Sequence, residues 1–189
     1  MNAKLSPRLV LGWSAGENVN LRLGYYTAAR SPQVLEARIA ASTPTRIIPN
    51  PELQVERTES LELGYRQAWA GWTVDATLFE TGFTDLIARR TVLPTPPPSG
   101  TRQYVNIPGK ARDRGMELAV QRSLGPATVG ANWTQLRFRD PDHVDYVYTA
   151  RTQANLFARA GHGRLHGYAG LQYVGPHRIG NYLGTPTFE

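Results

Sequence analysis

The sequence predicts an all-β chain, an antiparallel up-and-down portion of a transmembrane β-barrel of about eight or nine strands. Three observations carry this prediction. Apolar residues recur at every second position in one segment after another, short turns alternate with long polar connections, and tryptophans gather beside the short turns. Strict alternation is the mark of strands with one apolar and one polar face. Composition agrees: of 189 residues, 41% are hydrophobic, and 18 Gly with 14 Pro favour strands and turns over long helices.

Taken in order, Leu9, Leu11 and Trp13 alternate with Arg8, Gly12 and Ser14. After "AGEN", Val19, Leu21, Leu23 and Tyr25 alternate with Asn20, Arg22, Gly24 and Tyr26. Leu61, Leu63 and Tyr65 then oppose Ser60, Glu62 and Arg66, and past "WAGW" Val74, Ala76 and Leu78 oppose Thr73, Asp75 and Thr77. Met116, Leu118 and Val120 face away from Glu117 and Gln121. After "LGP", Ala127, Val129, Ala131 and Trp133 oppose Thr128, Gly130, Asn132 and Thr134. The last two segments set Ala154, Leu156 and Ala158 against Arg151, Gln153, Asn155 and Arg159, then Leu165, Ala169, Leu171 and Tyr173 against Arg164, His166 and Gln172. Eight strands result, each matching the roughly 9–11 residues that a tilted strand needs to cross a bilayer.

The turns "AGEN", "WAGW", "LGPA" and "GHGR" are short, whereas residues 28–57, 88–112 and 138–146 form long connections and another begins near Gly175. Membrane barrels have tight turns at one rim and elaborate loops at the other. A Greek-key sandwich would not keep that alternation over so many strands. Trp13, Trp69 and Trp72 sit by the short turns, where aromatic girdles lie. In such a barrel the apolar face greases the lipid, and Glu62, Asp75, Glu117, Arg151 and Arg159 face a wet lumen.

Other classes recede. The chain has no cysteine, so no disulfide framework or thiolate metal site forms. No run of about 18 apolar residues exists to make a transmembrane helix, and "MNAKLSPRLVLGWSAG" is broken by Pro7 and Arg8 before it can serve as a signal peptide. Net charge is +6 with a pI near 9.9, but the basic residues are scattered, so no nucleic-acid partner is expected.

Catalytic and metal chemistry is equally thin. His162 and His166 would converge on a helix but not on a strand. Asp140, Asp142 and Asp145 lack the glycine and bidentate glutamate of a calcium loop. Ser31, Ser42, Ser60, Ser99 and Ser123 have no nucleophile elbow, and Gly109 with Gly115 make no phosphate loop. No enzyme, cofactor or bound metal is expected.

Four stretches, "YYTAARSPQVLE", "IPNPELQVERTESLELGYR", "ATLFETGFTDLIARR" and "YVNIPGKARDRGMELAVQ", resemble in order the landmarks of the β-barrel of TonB-dependent outer-membrane receptors. The resembling positions are Arg30 and Pro32; Asn50, Pro51, Leu53 and Glu56; Glu62, Leu63, Gly64 and Tyr65; Phe79, Asp85, Leu86 and Ile87; and Tyr104, Asn106, Gly109, Ala111, Gly115 and Glu117. The resemblance covers almost the whole chain. It implies a 22-stranded barrel occluded by an N-terminal plug, located in the outer membrane of a Gram-negative bacterium and energised by the TonB complex. The implied cargo is a metal chelate, most often a ferric siderophore. Haem importers of that family tend to carry a histidine between the arginine-proline and Asn-Pro segments, and Arg30 to Asn50 contains none.

The expectation for residues 1–189 is therefore a partial receptor barrel without its plug and last strands. A plug-less porin-type barrel and a soluble β-sandwich binding module are the alternatives; plug homology upstream and detergent dependence separate them. Arg30, Arg38, Arg46, Arg89, Arg90, Arg102 and Arg112 are the candidate ligand contacts of the outer loops, because guanidinium groups suit anionic chelates. Contact with lipopolysaccharide phosphates is the other reading of those arginines. Pro32, Asn50, Pro51, Glu56, Glu62, Gly64, Tyr65, Asn106, Gly115 and Glu117 are expected to be structural, with Glu56, Glu62, Arg66 and Glu117 holding one another in a network across the lumen wall.

Overall fold

The computed structural model describes residues 5–40, 46–93, 101–139, 150–176, 178–180 and 186–188. Eight long strands form one antiparallel sheet: β1 (Arg8–Ser14), β2 (Val19–Arg30), β4 (Glu56–Trp69), β5 (Trp72–Thr84), β8 (Lys110–Leu124), β9 (Ala127–Arg139), β10 (Thr152–His162) and β11 (Leu165–Val174). They lie in the order β1-β2-β4-β5-β8-β9-β10-β11, so each pairs with the next long strand in sequence. This is the predicted up-and-down layout.

Register explains why the alternation had to be so regular. One row of paired residues runs through all eight strands as Trp13, Leu21, Tyr65, Ala76, Leu118, Trp133, Ala154 and Tyr173. The adjacent row reads Ser14, Asn20, Arg66, Asp75, Ala119, Asn132, Asn155 and Gln172. A slip of one residue anywhere would exchange the two faces. The apolar face is not a core: Leu11 is 57% exposed, Leu78 53% and Leu156 56%. A single sheet with a continuous uncovered apolar face has the pattern of a membrane-barrel wall.

The short turns share one edge. Between Trp69 and Trp72, both Ala70 (φ 42) and Gly71 (φ 82) are left-handed, the geometry of a two-residue hairpin whose twist matches its strands. Trp69 and Trp72 stack there at 6.5 Å, and the Arg122 guanidinium lies 5.0 Å from the Trp72 ring centre. By parity Trp13, Trp69 and Trp72 all project from the apolar face.

The first long connection is shorter than periodicity predicts, 31–55 against 28–57, and the second is shifted, 85–109 against 88–112; both are more structured than expected, while most of 138–146 lies outside the described residues. β2 continues to Arg30 and β8 begins at Lys110, so Arg30 and Arg112, expected in loops, are strand residues. The connections also hold secondary structure of their own: a one-turn helix α1 (Val34–Ala37) and the strands β3 (Ile47–Ile48), β6 (Ile87–Leu93) and β7 (Thr101–Asn106). These strands make a second sheet in the order β3-β7-β6. A final pair, β12 (Arg178–Gly180) and β13 (Pro186–Phe188), follows β11. The buried apolar residues among those described, Leu53, Ile107, Ala111 and Ala150, lie at the loop end rather than along the sheet.

Candidate functional site

Parts of the resembling motifs that are distant in sequence, Arg30 and Pro32, Asn50 to Glu56, Asp85 to Ile87 and Tyr104 to Asn106, converge at the loop end. Pro51 opens a turn in which Asn50 Oδ1 accepts the Glu52 N–H at 3.1 Å, while Asn50 Nδ2 donates to the Tyr104 carbonyl at 2.9 Å. Asn106 completes the junction. Its Oδ1 accepts from the Gln54 N–H at 2.8 Å, and its Nδ2 donates to the carbonyls of Gln54 at 3.2 Å and Asp85 at 2.7 Å. Gln103 adds a bond to the Pro49 carbonyl at 3.0 Å. Asn suits these positions because one amide both donates and accepts. Together these bonds clasp β3, β6 and β7 onto the ends of the barrel strands.

A second junction centres on Arg30. Its guanidinium reaches Glu36 at 3.1 Å and Glu56 at 3.0 Å. The same Glu56 Oε2 accepts the Ile87 N–H at 3.1 Å, tying both long connections to one carboxylate. Glu36 also caps α1 by accepting the Gln33 N–H at 2.7 Å, just after Pro32. Arg30 is thus engaged by two carboxylates while its side chain stays 39% exposed.

Along the polar face the charges pair locally. Arg22 Nη2 lies 2.7 Å from Glu62 and 3.1 Å from Thr77 Oγ1. Gly64 makes that possible, because a Cβ there would come within 2.7 Å of Arg22 Cγ. Arg66 meets Asp75 at 3.8 Å. The network expected among Glu56, Glu62, Arg66 and Glu117 therefore does not form as such: Glu56, Glu62 and Arg66 each bond to a different group, and Glu117 is exposed. Acids and arginines at intervals of two show that a face is charged, but pairing depends on which strand lies alongside. Gly115 serves packing: a Cβ there would meet the Phe79 ring and the Gln135 carbonyl, the latter at 2.7 Å. Tyr65 points to the apolar face, opposite Leu21 and Ala76.

The other candidate arginines do not form a single cluster. Arg89 and Arg102 share one face of the small sheet as diagonal neighbours, with Arg89 opposite Tyr104 and Arg102 opposite Thr91. Arg102 donates its N–H to the Arg46 carbonyl at 2.8 Å, which brings Arg46 to the same sheet. Arg90 projects from the opposite face, and Arg38 is exposed directly after α1. Arg112 stands apart on β8, on the same face as Met116 and Leu118 and 3.6 Å from Glu80. His162 and His166 fall on opposite faces of their hairpin, so they do not converge. Asp140, Asp142, His143 and Asp145 lie outside the described residues.

Solved structures share this fold. A mutant of the ferric enterobactin receptor PfeA from Pseudomonas aeruginosa matches with a TM-score of 0.76 at 20% identity, over 96% of this chain and 29% of its own. The siderophore receptor PirA from Acinetobacter baumannii gives 0.73 at 15% identity, over 97% and 29%. The copper transporter OprC gives 0.73 at 18% identity, over 90% and 26%. The chain thus spans less than a third of each of these structures. No curated protein sequence matches it. The family described as TonB dependent receptor-like, beta-barrel matches residues 2–188, and the chain belongs to that family.

Proposed function

We propose that the chain forms part of the wall and outer mouth of a receptor in the outer membrane of a Gram-negative bacterium. The receptor imports an anionic metal chelate, a ferric siderophore, with energy delivered through TonB and a plug. Family membership supports the transport class, and structures of this fold include proteins named for ferric enterobactin, siderophores and copper.

One observation carries the choice of cargo. Arg89 and Arg102 share one face of a small sheet that Asn50 and Asn106 clasp to the barrel end, and Arg46 lies directly before its strand β3. Siderophores hold iron through anionic oxygens, which guanidinium forks bind in a directed, two-pronged manner. A clasped sheet also keeps the cations in place before binding, which lowers the ordering cost.

Binding of ferric chelates to the complete receptor, followed by fluorescence quenching, tests the proposal. The double substitution Arg89→Ala/Arg102→Ala is expected to weaken binding on the order of tenfold or more, and loss of TonB to stop uptake. Unchanged affinity would remove these arginines from the mouth. Uptake that survives loss of TonB would favour a porin-type barrel, and a chain soluble without detergent a soluble sandwich.

A further inference from the structure

The apolar face does not stay apolar up to the loop end. Above the row Leu63, Leu78 and Met116, the same face of the sheet presents Leu61, Glu80, Arg114 and Arg137. The next row holds Glu59, Gly82, Arg112 and Arg139, and the last Arg57, Thr84 and Lys110. Six cations against two carboxylates leave a surplus of four positive charges in three successive rows. Arg114 lies 2.9 Å and Arg112 3.6 Å from Glu80, and Lys110 3.0 Å from Glu59. Among the described residues Arg57, Arg137 and Arg139 have no ion pair.

The patch is local. On β2 the residues facing the same way in these three rows, Tyr25, Thr27 and Ala29, are uncharged. Its height is also defined. On β8 the residues of this face from Met116 to Leu124 are apolar apart from Arg122, which lies over Trp72 beside the short turns. At about 3.4 Å per residue and a tilt near 40°, that stretch covers roughly the height of a barrel's apolar band. The cations begin where the band ends, on the side of the long loops, and they point away from the lumen.

We infer that this surface, on the outer side of β4, β5, β8 and β9, binds the phosphate groups of a phosphorylated glycolipid in the outer leaflet. The inference rests on the outer-membrane placement proposed above, but not on the cargo. Charge complementarity selects the occupant. At headgroup height the neighbours of a wall residue are lipid phosphates, and arginines spaced along paired strands can each engage one by a charge-assisted bidentate contact. Arg112 thereby acquires a role separate from the mouth.

The test uses the complete receptor in phosphatidylcholine vesicles supplied with bis-phosphorylated lipid A or its dephosphorylated form. Lipid retained through purification and the thermal stabilisation on lipid addition are the readouts. Arg114→Gln/Arg137→Gln/Arg139→Gln is expected to reduce retained bis-phosphorylated lipid on the order of a hundredfold, since each cation near an anionic surface contributes a factor of roughly five. It should leave ferric chelate binding unchanged, while Arg89→Ala/Arg102→Ala should leave lipid retention unchanged. Equal retention by the triple variant, or equal binding of dephosphorylated lipid, would overturn the inference. Failure of chelate binding alone would count against the cargo, not against the lipid site.

Discussion

Asn106 and Gln54, 52 positions apart, are joined by a reciprocal pair of hydrogen bonds: the Asn106 side chain accepts from the Gln54 N–H at 2.8 Å and donates to the Gln54 carbonyl at 3.2 Å. A strand-like pairing is thus completed by a side chain where no strand runs. It fixes the Asn-Pro connection against β7, and through Asp85 against the end of β5.

Replacing Asn106 by Ala removes three bonds and leaves backbone groups of Gln54 and Asp85 without their partner. A local loss of about 2–3 kcal/mol is expected, confined to the small sheet because the eight-stranded ladder is untouched. Hydrogen exchange should quicken at Gln54 and in β7 while β4 and β8 keep their protection. Uniform loss of protection would show that the clasp supports the whole wall.

Glu56 links Arg30 to Ile87, so Glu56→Gln should loosen both long connections. Bonds to a charged group contribute roughly 1.5–3 kcal/mol, and limited proteolysis between residues 31 and 55 should accelerate. Combined with Arg30→Gln, the loss should be much less than additive; full additivity would mean that the pair is not coupled.

At Gly115 the Phe79 ring lies where a Cβ would go, whereas at Gly12 a Cβ meets nothing within 4 Å. Gly115→Ala should destabilise the folded barrel by about 1–3 kcal/mol through overpacking, and Gly12→Ala should be nearly neutral. Denaturant unfolding in detergent measures both.

The two faces of β8 should respond oppositely to charge. Leu118→Arg places a guanidinium in the middle of the apolar row and is expected to cost about 2–4 kcal/mol, while Gln121→Arg on the polar face should cost little. Equal tolerance at both positions would contradict the assignment of faces.

Much of the wall was legible in the sequence because a two-sided sheet writes its period directly into the residues. Leu61, Leu63 and Tyr65 against Ser60, Glu62 and Arg66 could be read without any partner strand. The small sheet could not. Ile47–Ile48 is too short to show a period, and β6 and β7 gain their order from Asn106 and Gln103, which bond to backbone groups about 50 residues away. Composition carries no trace of such bonds. Charge pairing failed for the same reason: Glu62 meets Arg22 because β2 lies beside β4, which strand order, not spacing, determines. Arg112 is different. Its parity with Met116 and Leu118 is written in the sequence, but the polar residues before it hide the start of β8 at Lys110.

A membrane wall requires the faces to alternate in what they touch, and residues 1–189 contribute no cysteine of their own to the labelling background. Single cysteines at Leu63, Leu78 and Leu118, and at Ser60, Asp75 and Gln121, would carry spin labels in the complete receptor in lipid vesicles. Accessibility to oxygen, which concentrates in lipid, is then compared with that to a water-soluble nickel chelate. The first three should favour oxygen and the last three the chelate, in phase across β4, β5 and β8. Chelate access at Leu63, Leu78 and Leu118 equal to that at Ser60, Asp75 and Gln121 would contradict a lipid-facing wall.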